Sequence, residues 1–266
     1  MFGSKRNLSK DPIDITSSDQ HRNTAIIHSL YREWSAEGQE ERNQSFLPLI
    51  NALQTYLPIT HPSLKYTYKV LVPGSGLGRL PLEIASLGYC CQGNEYSAFM
   101  AAPANFILNA IQTKNSYKIN PWIDRVCNVI KSSDILESVY IPDQVAYDML
   151  HDVNTSTTTS STAVFPPFSM GIGDFVSSYN IPQEYVSWDA VVTCFFIDTA
   201  PVVFDYIETI YNILKPGAIW TNIGMSYVYH MYNSVGYDVY LCIHHILVYT
   251  IQYIKHVVLS IYYTYT

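Results

Sequence analysis

Residues 69–79 read KVLVPGSGLGR, a β-branched run that halts at Pro73-Gly74 and opens into glycines at alternate positions. Val70, Leu71 and Val72 read as a strand buried on both faces, and residues 77–87, closed by Gly88, read as a helix. A strand entering a helix through a glycine turn belongs to an open α/β sheet, whose ligands bind at the carboxyl ends of the strands. The unit then repeats, with a strand over 89–94 ending at Asn94-Glu95 and a helix over 97–110.

The same alternation returns later. WDAVVTCFFID places an almost unbroken apolar run over 190–197, as a central parallel strand requires. A helix over 201–214 stops at Lys215-Pro216-Gly217, and a further strand covers 218–223. Before the sheet, Ile26, Ile27, Leu30, Tyr31 and Trp34, then Phe46, Leu47, Ile50 and Leu53, recur at helical spacing, with a charged break around Gly38. Residues 111–170 carry no clear period, and 154–168 form a Ser/Thr-rich loop ending in two prolines. The expected fold is α/β, a Rossmann-like sheet with an N-terminal helical extension. Its expected organisation is a disordered tail over 1–20, a helical lead-in over 21–66, a nucleotide-binding domain over 67–224 and an atypical tail over 225–266.

That last segment is foreign to the rest. It holds ten of the 23 tyrosines and four of the eight histidines, and its only formal charges are Asp238 and Lys255. Its apolar stretch, 239–254, is broken by His244, His245 and Gln252, whereas a membrane span needs ~20 cleaner apolar residues. A net charge of −7 argues against a nucleic-acid partner, which demands a basic face. The five cysteines include no CxxC pair, so neither a disulfide framework nor a metal site is expected. The polar N-terminus lacks the apolar core of a signal peptide, which points to reduced thiols in the cytoplasm.

The ligand of the turn follows from its spacing. Gly74, Gly76 and Gly78 let the backbone approach a ligand, and the next helix offers N–H groups at its N-terminus. A dinucleotide pyrophosphate calls for GxGxxG, as a dehydrogenase would have; the shorter spacing suits an adenosine ligand without phosphate, namely S-adenosylmethionine. Glu95, at the end of the next strand, can accept both ribose hydroxyls. Asp174 can accept from the adenine amino group, with Phe175 packed near the base. Asp198 lies just past the 190–197 strand, and reads either as an active-site carboxylate or as the N-cap of the following helix.

Taken together, VLVPGSGLGRLPLEIASLGYCCQGNEYSAFM, NPWID, SMGIGDF and VVTCFFIDTA…DYIETIYNILKPGAIW closely resemble the carnosine N-methyltransferase family of class I methyltransferases, over about residues 30–224. The unusual elements are Pro73 before the first glycine, Gly93-Asn94-Glu95 and CFFIDTA. The resemblance implies methylation of a carnosine imidazole nitrogen by S-adenosylmethionine to give anserine. It implies Arg32, Gly74, Glu95, Asp174, Phe175 and Cys194 as cofactor residues, with Asp198 meeting the substrate imidazole and His230 near a substrate-binding histidine. Methyl transfer is an in-line displacement, so positioning dominates; a carboxylate accepting one ring N–H fixes the tautomer that leaves the other nitrogen free to attack. The implied partner is a small histidine-containing dipeptide, with no nucleic acid and no membrane, in a cytoplasmic and nuclear protein compatible with a homodimer. Two departures stand out. Ser29 occupies the place of a family glutamine, and the tail after Gly224 matches none of the family's last strands. The expected consequence is a sheet without its final antiparallel strands, its edge poorly covered, from a read-through or mis-spliced product. Rival readings are a non-catalytic chain keeping only the cofactor half, and an enzyme for another histidine-containing peptide.

Overall fold

The computed structural model describes residues 16–123, 131, 133–151, 167–224 and 247–250. The sequence-based assignments for 1–15, for the bulk of the Ser/Thr-rich loop, for Cys127 and Cys242, and for His230 fall outside these residues.

Two helices lead in. α1 (Ser17–Trp34) starts at a capping box in which Thr16 and Asp19 satisfy each other's backbone N–H groups. α2 (Gln39–Tyr56) resumes after a break of only four residues, 35–38, much shorter than the charged run suggests. Then come β1 (Lys69–Pro73), α3 (Arg79–Ser86), β2 (Cys90–Glu95) and α4 (Ala98–Asn109), each within two residues of its expected bounds.

The stretch without a sequence period supplies β3 (Tyr117–Ile119) and β4 (Val139–Ile141), a small antiparallel pair, followed by α5 (Ala146–His151). β5 (Phe168–Ile172) and α6 (Phe175–Tyr179) precede β6 (Trp188–Cys194), α7 (Val203–Ile213), β7 (Leu214–Ile223) and β8 (Leu247–Thr250).

The main sheet has the order β5-β2-β1-β6-β7-β8, parallel except for β8. The chain runs outward from β1 through β2 to β5, then returns to lay β6 on β1's other side. The strand order therefore reverses between β1 and β6, where open α/β sheets form their ligand crevice. Alternation along the central strands sorts the core into two layers. Leu71 and Val191 face α6 and α7, while Val70, Val72, Ala190 and Val192 face α2 and α3.

Two features correct the sequence reading. Lys215-Pro216-Gly217 does not separate α7 from a strand; it loops out within β7, so that Trp188 pairs with Leu214 but Ala190 with Ile219. Proline can donate no ladder hydrogen bond and Gly217 has φ +83°, so the bulge sits where the sequence permits it. The Tyr/His-rich tail, expected to leave the sheet edge bare, contributes β8, which pairs antiparallel with β7 through Ile219↔Thr250 to Asn222↔Leu247.

Candidate active site

Gly74, Asp174 and Asp198 follow the carboxyl ends of β1, β5 and β6, and Glu95 is the last residue of β2. The parallel sheet alone brings these four positions to one edge.

At the turn itself, the glycines are required by neighbours as much as by backbone angle. Gly74 has φ +65°, and a Cβ there would lie 2.5 Å from Cδ2 of Phe196. Gly76 has φ +56°, and a Cβ there would lie 2.7 Å from Oε1 of Glu33. No L side chain fits either position without displacing those groups.

The turn's N–H groups, expected to face the ligand, are taken up inside the protein. Ser75 donates to the Asn94 carbonyl at 3.0 Å and Gly78 to the Ser75 carbonyl at 2.9 Å. Gly76 N–H donates to Glu95 Oε2 at 2.9 Å, and Leu77 N–H to Glu33 Oε2 at 3.0 Å. The Arg79 backbone N–H also points at the Glu33 carboxylate. Two carboxylates thus occupy the place where a dinucleotide's pyrophosphate would need donors. They would repel that anion as well, so the turn fits an adenosine ligand that brings no phosphate.

Glu95 is the hinge of the far side. Its Oε1 accepts from Ser97 N–H at 2.8 Å, its Oε2 is used by Gly76, and each oxygen keeps a lone pair for a ligand hydroxyl. The Glu95 carbonyl accepts from Gly173 N–H at 3.0 Å, which seats Asp174 beside it. Asp174 N-caps α6, with Oδ1 accepting from Ser177 N–H at 2.8 Å, and Oδ2 remains available. Phe175 differs from its expected place. Only 2% exposed, its ring packs edge-on to Phe196 and Tyr206, both at 5.3 Å, within the core rather than against an open cleft. What it can offer a ligand is the backbone N–H of the first residue of α6, which has no partner within the helix.

β6 ends in a sharp turn. Phe195 takes a left-handed φ of +50° while its N–H donates to the Ile223 carbonyl at 2.7 Å. A bulky residue held there is strained, and the strain re-aims the chain so that Phe196 reaches Gly74. Asp198 lies in the 3-10 turn that follows, Ile197–Thr199. It does not cap α7, whose N-cap is Val202 with no side-chain cap bond. That removes the alternative reading of Asp198 and leaves its carboxylate at the active edge.

Arg32, Glu33, Cys194 and Asp198 converge. Burial pushes the Cys194 thiol up to about 12, with Arg32 opposing the shift and Glu33 and Asp198 adding to it, so it remains a neutral thiol. Arg32 is the exposed member, its Nη2 3.5 Å from Glu33 Oε1 and 3.4 Å from the hydroxyl of Ser29. Ser29, which replaces a longer amide in the family pattern, thus still touches the guanidinium.

Glu33 is the site residue the sequence reading missed. It is 2% exposed, and burial raises its carboxyl from 4.5 to about 7 against the opposing pull of Arg32 and the two backbone donors. A signal existed: Ile26, Leu30 and Glu33 lie at i, i+4 and i+7, which puts a carboxylate on the buried stripe of α1.

The lead-in helices are clamped to the turn. Trp34 Nε1 donates to the Leu77 carbonyl at 3.3 Å, and the Arg79 guanidinium lies 5.0 Å over the Trp34 ring. A separate cleft of about 440 Å³, lined by Leu82, Leu108, Val145 and Phe168 among others, lies at the opposite end of β5 from Asp174 and takes no part in this constellation. Among the described residues, no three His, Cys, Asp or Glu side chains cluster as metal ligands would, and no helix is long and apolar enough to cross a membrane.

The carnosine N-methyltransferase family profile matches residues 9–262, past Gly224 and through most of the tail that seemed foreign. The carnosine N-methyltransferase of Rattus norvegicus is 40% identical over 217 residues, covering 81% of this chain and 49% of its own length. That of Dictyostelium discoideum is 41% identical over 227 residues, covering 84% of this chain and 45% of its own. The chain therefore spans about half the length of the curated relatives it matches. Among solved structures, a phosphoethanolamine N-methyltransferase of Haemonchus contortus bound to S-adenosyl-L-methionine is similar with a TM-score of 0.41 at 14% identity, over 77% of this chain and 33% of its own. The fold assignment rests on the strand order. On the profile match, which takes in nearly the whole sequence, the chain belongs to the carnosine N-methyltransferase family.

Proposed function

We propose that this chain methylates an imidazole nitrogen of carnosine, giving anserine, with S-adenosyl-L-methionine as methyl donor. The observation that carries the reading is the double use of carboxylates at the glycine turn, Glu95 on Gly76 and Glu33 on Leu77, within a chain of this family. That donor set refuses a pyrophosphate and suits a ligand of neutral or positive charge.

In this reading Glu95 takes the ribose hydroxyls, Asp174 and the Phe175 N–H take the adenine, and Arg32 takes the carboxylate of the methionine end. Cys194 packs as an uncharged wall. When bound, the cofactor supplies a methyl group on a sulfonium. Asp198 accepts the N–H of one imidazole nitrogen, which holds the ring in the tautomer whose other nitrogen carries the lone pair. Ordering the two reactants in line is the larger part of the catalysis, since no proton need move before the methyl does.

Calorimetry with S-adenosylhomocysteine, then turnover with carnosine, tests the proposal. Saturable one-to-one binding and release of methylated dipeptide are expected. No binding of S-adenosylhomocysteine would overturn the cofactor assignment, while binding without turnover on carnosine but with turnover on another histidine-containing peptide would reassign the acceptor alone.

A further inference from the structure

Three consecutive residues at the end of α1 divide the work around one residue of the turn, Leu77. Glu33 Oε2 accepts the Leu77 N–H at 3.0 Å, Trp34 Nε1 donates to the Leu77 carbonyl at 3.3 Å, and Arg32 leaves the same helical turn toward the open edge. Both polar groups of Leu77 are thereby fixed by adjacent side chains of a helix that belongs to neither β1 nor α3. The missing Cβ of Gly76 is what admits the Glu33 carboxylate to this position.

A buried carboxylate is an expensive way to fill a core position. Leucine there would remove the desolvation cost but would strand the amides of Leu77 and Arg79. We infer that Glu33 is the positioning residue of the cofactor turn, holding the Leu77 and Arg79 amides from beneath so that the shape of the turn and the placement of Arg32 are set by one helix end. The inference rests on the S-adenosylmethionine reading of the site, and deepens it by naming what keeps the turn in its binding shape.

The groups facing Glu33 fit that role. Arg32 approaches from α1, the Arg79 backbone from α3, and Cys194 from β6 as an uncharged thiol, while Glu95 holds the other side of the turn from β2. Arg42 of α2 adds a positive field behind it. Glu33 is 2% exposed and meets the open edge through Arg32, so it acts through its neighbours and is not a catalytic residue.

The test uses the full chain with Glu33→Gln and Glu33→Leu, read by calorimetry with S-adenosylhomocysteine, by thermal melting and by amide hydrogen exchange. Glu33→Gln keeps a carbonyl acceptor for the Leu77 N–H and should bind within about threefold of the parent, whereas Glu33→Leu should bind about tenfold or more weakly at a similar melting temperature. In turnover, Glu33→Leu should raise KM for the methyl donor more than it lowers kcat. Exchange at the Leu77 amide should accelerate in Glu33→Leu whether or not any ligand binds, so a wrong cofactor assignment and a wrong role for Glu33 give different results. Should Glu33→Leu fail to fold, Trp34→Phe, which removes the bond to the Leu77 carbonyl while keeping an aromatic ring beneath Arg79, should weaken binding in the same direction. Parent-like binding and unchanged exchange in Glu33→Leu, or Glu33→Gln as weak as Glu33→Leu, would overturn the inference.

Discussion

Arg42 donates to Asp143 at 2.9 Å with only 1% of the arginine side chain and 11% of the aspartate exposed. Arg79 reaches the same carboxylate at 2.6 Å from the other side. One aspartate therefore bridges two buried guanidiniums, from α2 and from the first residue of α3, with Arg79 also held by Glu83 at 2.7 Å, and it welds the lead-in helices to the element that follows the glycine turn. Arg42 also donates to the carbonyls of Arg32 and Ser35, at 2.8 and 2.9 Å, and to Gln39 Oε1 at 3.0 Å.

Removing that carboxylate leaves Arg42 without its ion-pair partner beside Arg79, which keeps only Glu83. Asp143→Asn should destabilise the chain by roughly 3–5 kcal/mol, the range seen when one partner of a buried ion pair is lost. Urea unfolding checks it, and a loss under about 1 kcal/mol would show that water reaches these guanidiniums.

Glu33 makes stability depend on pH. Its folded pKa of about 7 lies above the ordinary 4.5, so the folded chain holds a proton that the unfolded chain releases between those values. The stabilisation is full below about 4.5 and is lost as pH rises through 7, an effect of roughly 3 kcal/mol. Glu33→Gln cannot titrate. Relative to the parent, its stability should therefore rise between pH 5 and pH 8, measured as the difference of two melting curves at each pH. A constant difference across that range would contradict the burial of this carboxyl.

Glu95 combines a structural bond with a ligand role. Glu95→Ala frees the Gly76 and Ser97 amides and removes the acceptor for the ribose. Binding of S-adenosylhomocysteine should weaken by about tenfold to a hundredfold, equivalent to roughly 1.5–3 kcal/mol for charged hydrogen bonds. Calorimetry at fixed pH reads this directly, and unaltered affinity would remove Glu95 from the site.

For Asp198, the expectation is a split between binding and turnover. Asp198→Asn presents an amide of the same size, keeps one acceptor oxygen and loses the charge. Cofactor affinity should stay within about threefold, while kcat/KM for carnosine falls at least about a hundredfold, the scale of a positioned acid–base group. Equal losses in both measurements would place Asp198 on the cofactor instead.

Much of this was legible from the chain alone, for reasons that differ by element. The β1 turn and β6 declared themselves because buried parallel strands are short apolar runs and their turns must be glycine. Those strands bring Glu95, Asp174 and Asp198 to one edge through topology, so their convergence needed no side-chain knowledge. Glu33 stayed hidden because a glutamate in a charged helix ordinarily faces water; its place on the stripe of Ile26 and Leu30 hinted at burial, and the contact with Leu77 across the fold gives it a role. Phe175 misled because an aromatic after an acidic residue suits both a base-stacking wall and a core, and Phe196 with Tyr206 claimed it for the core. The β3–β4 pair was invisible, since three residues per strand carry no measurable period.

The pairing of β8 with β7 sets a condition on folding. Trp220, Thr221 and Asn222 complete their outer backbone ladder only with Tyr249, Val248 and Leu247. A chain in which β8 has not yet paired therefore carries the crevice-forming strands β1, β2, β5 and β6 beside an open β7, an edge prone to capture another strand. Pairing of Leu247–Thr250, rather than formation of the binding turn, is the event that satisfies the outer backbone groups of β7 and makes β8 the sheet's edge among the described residues.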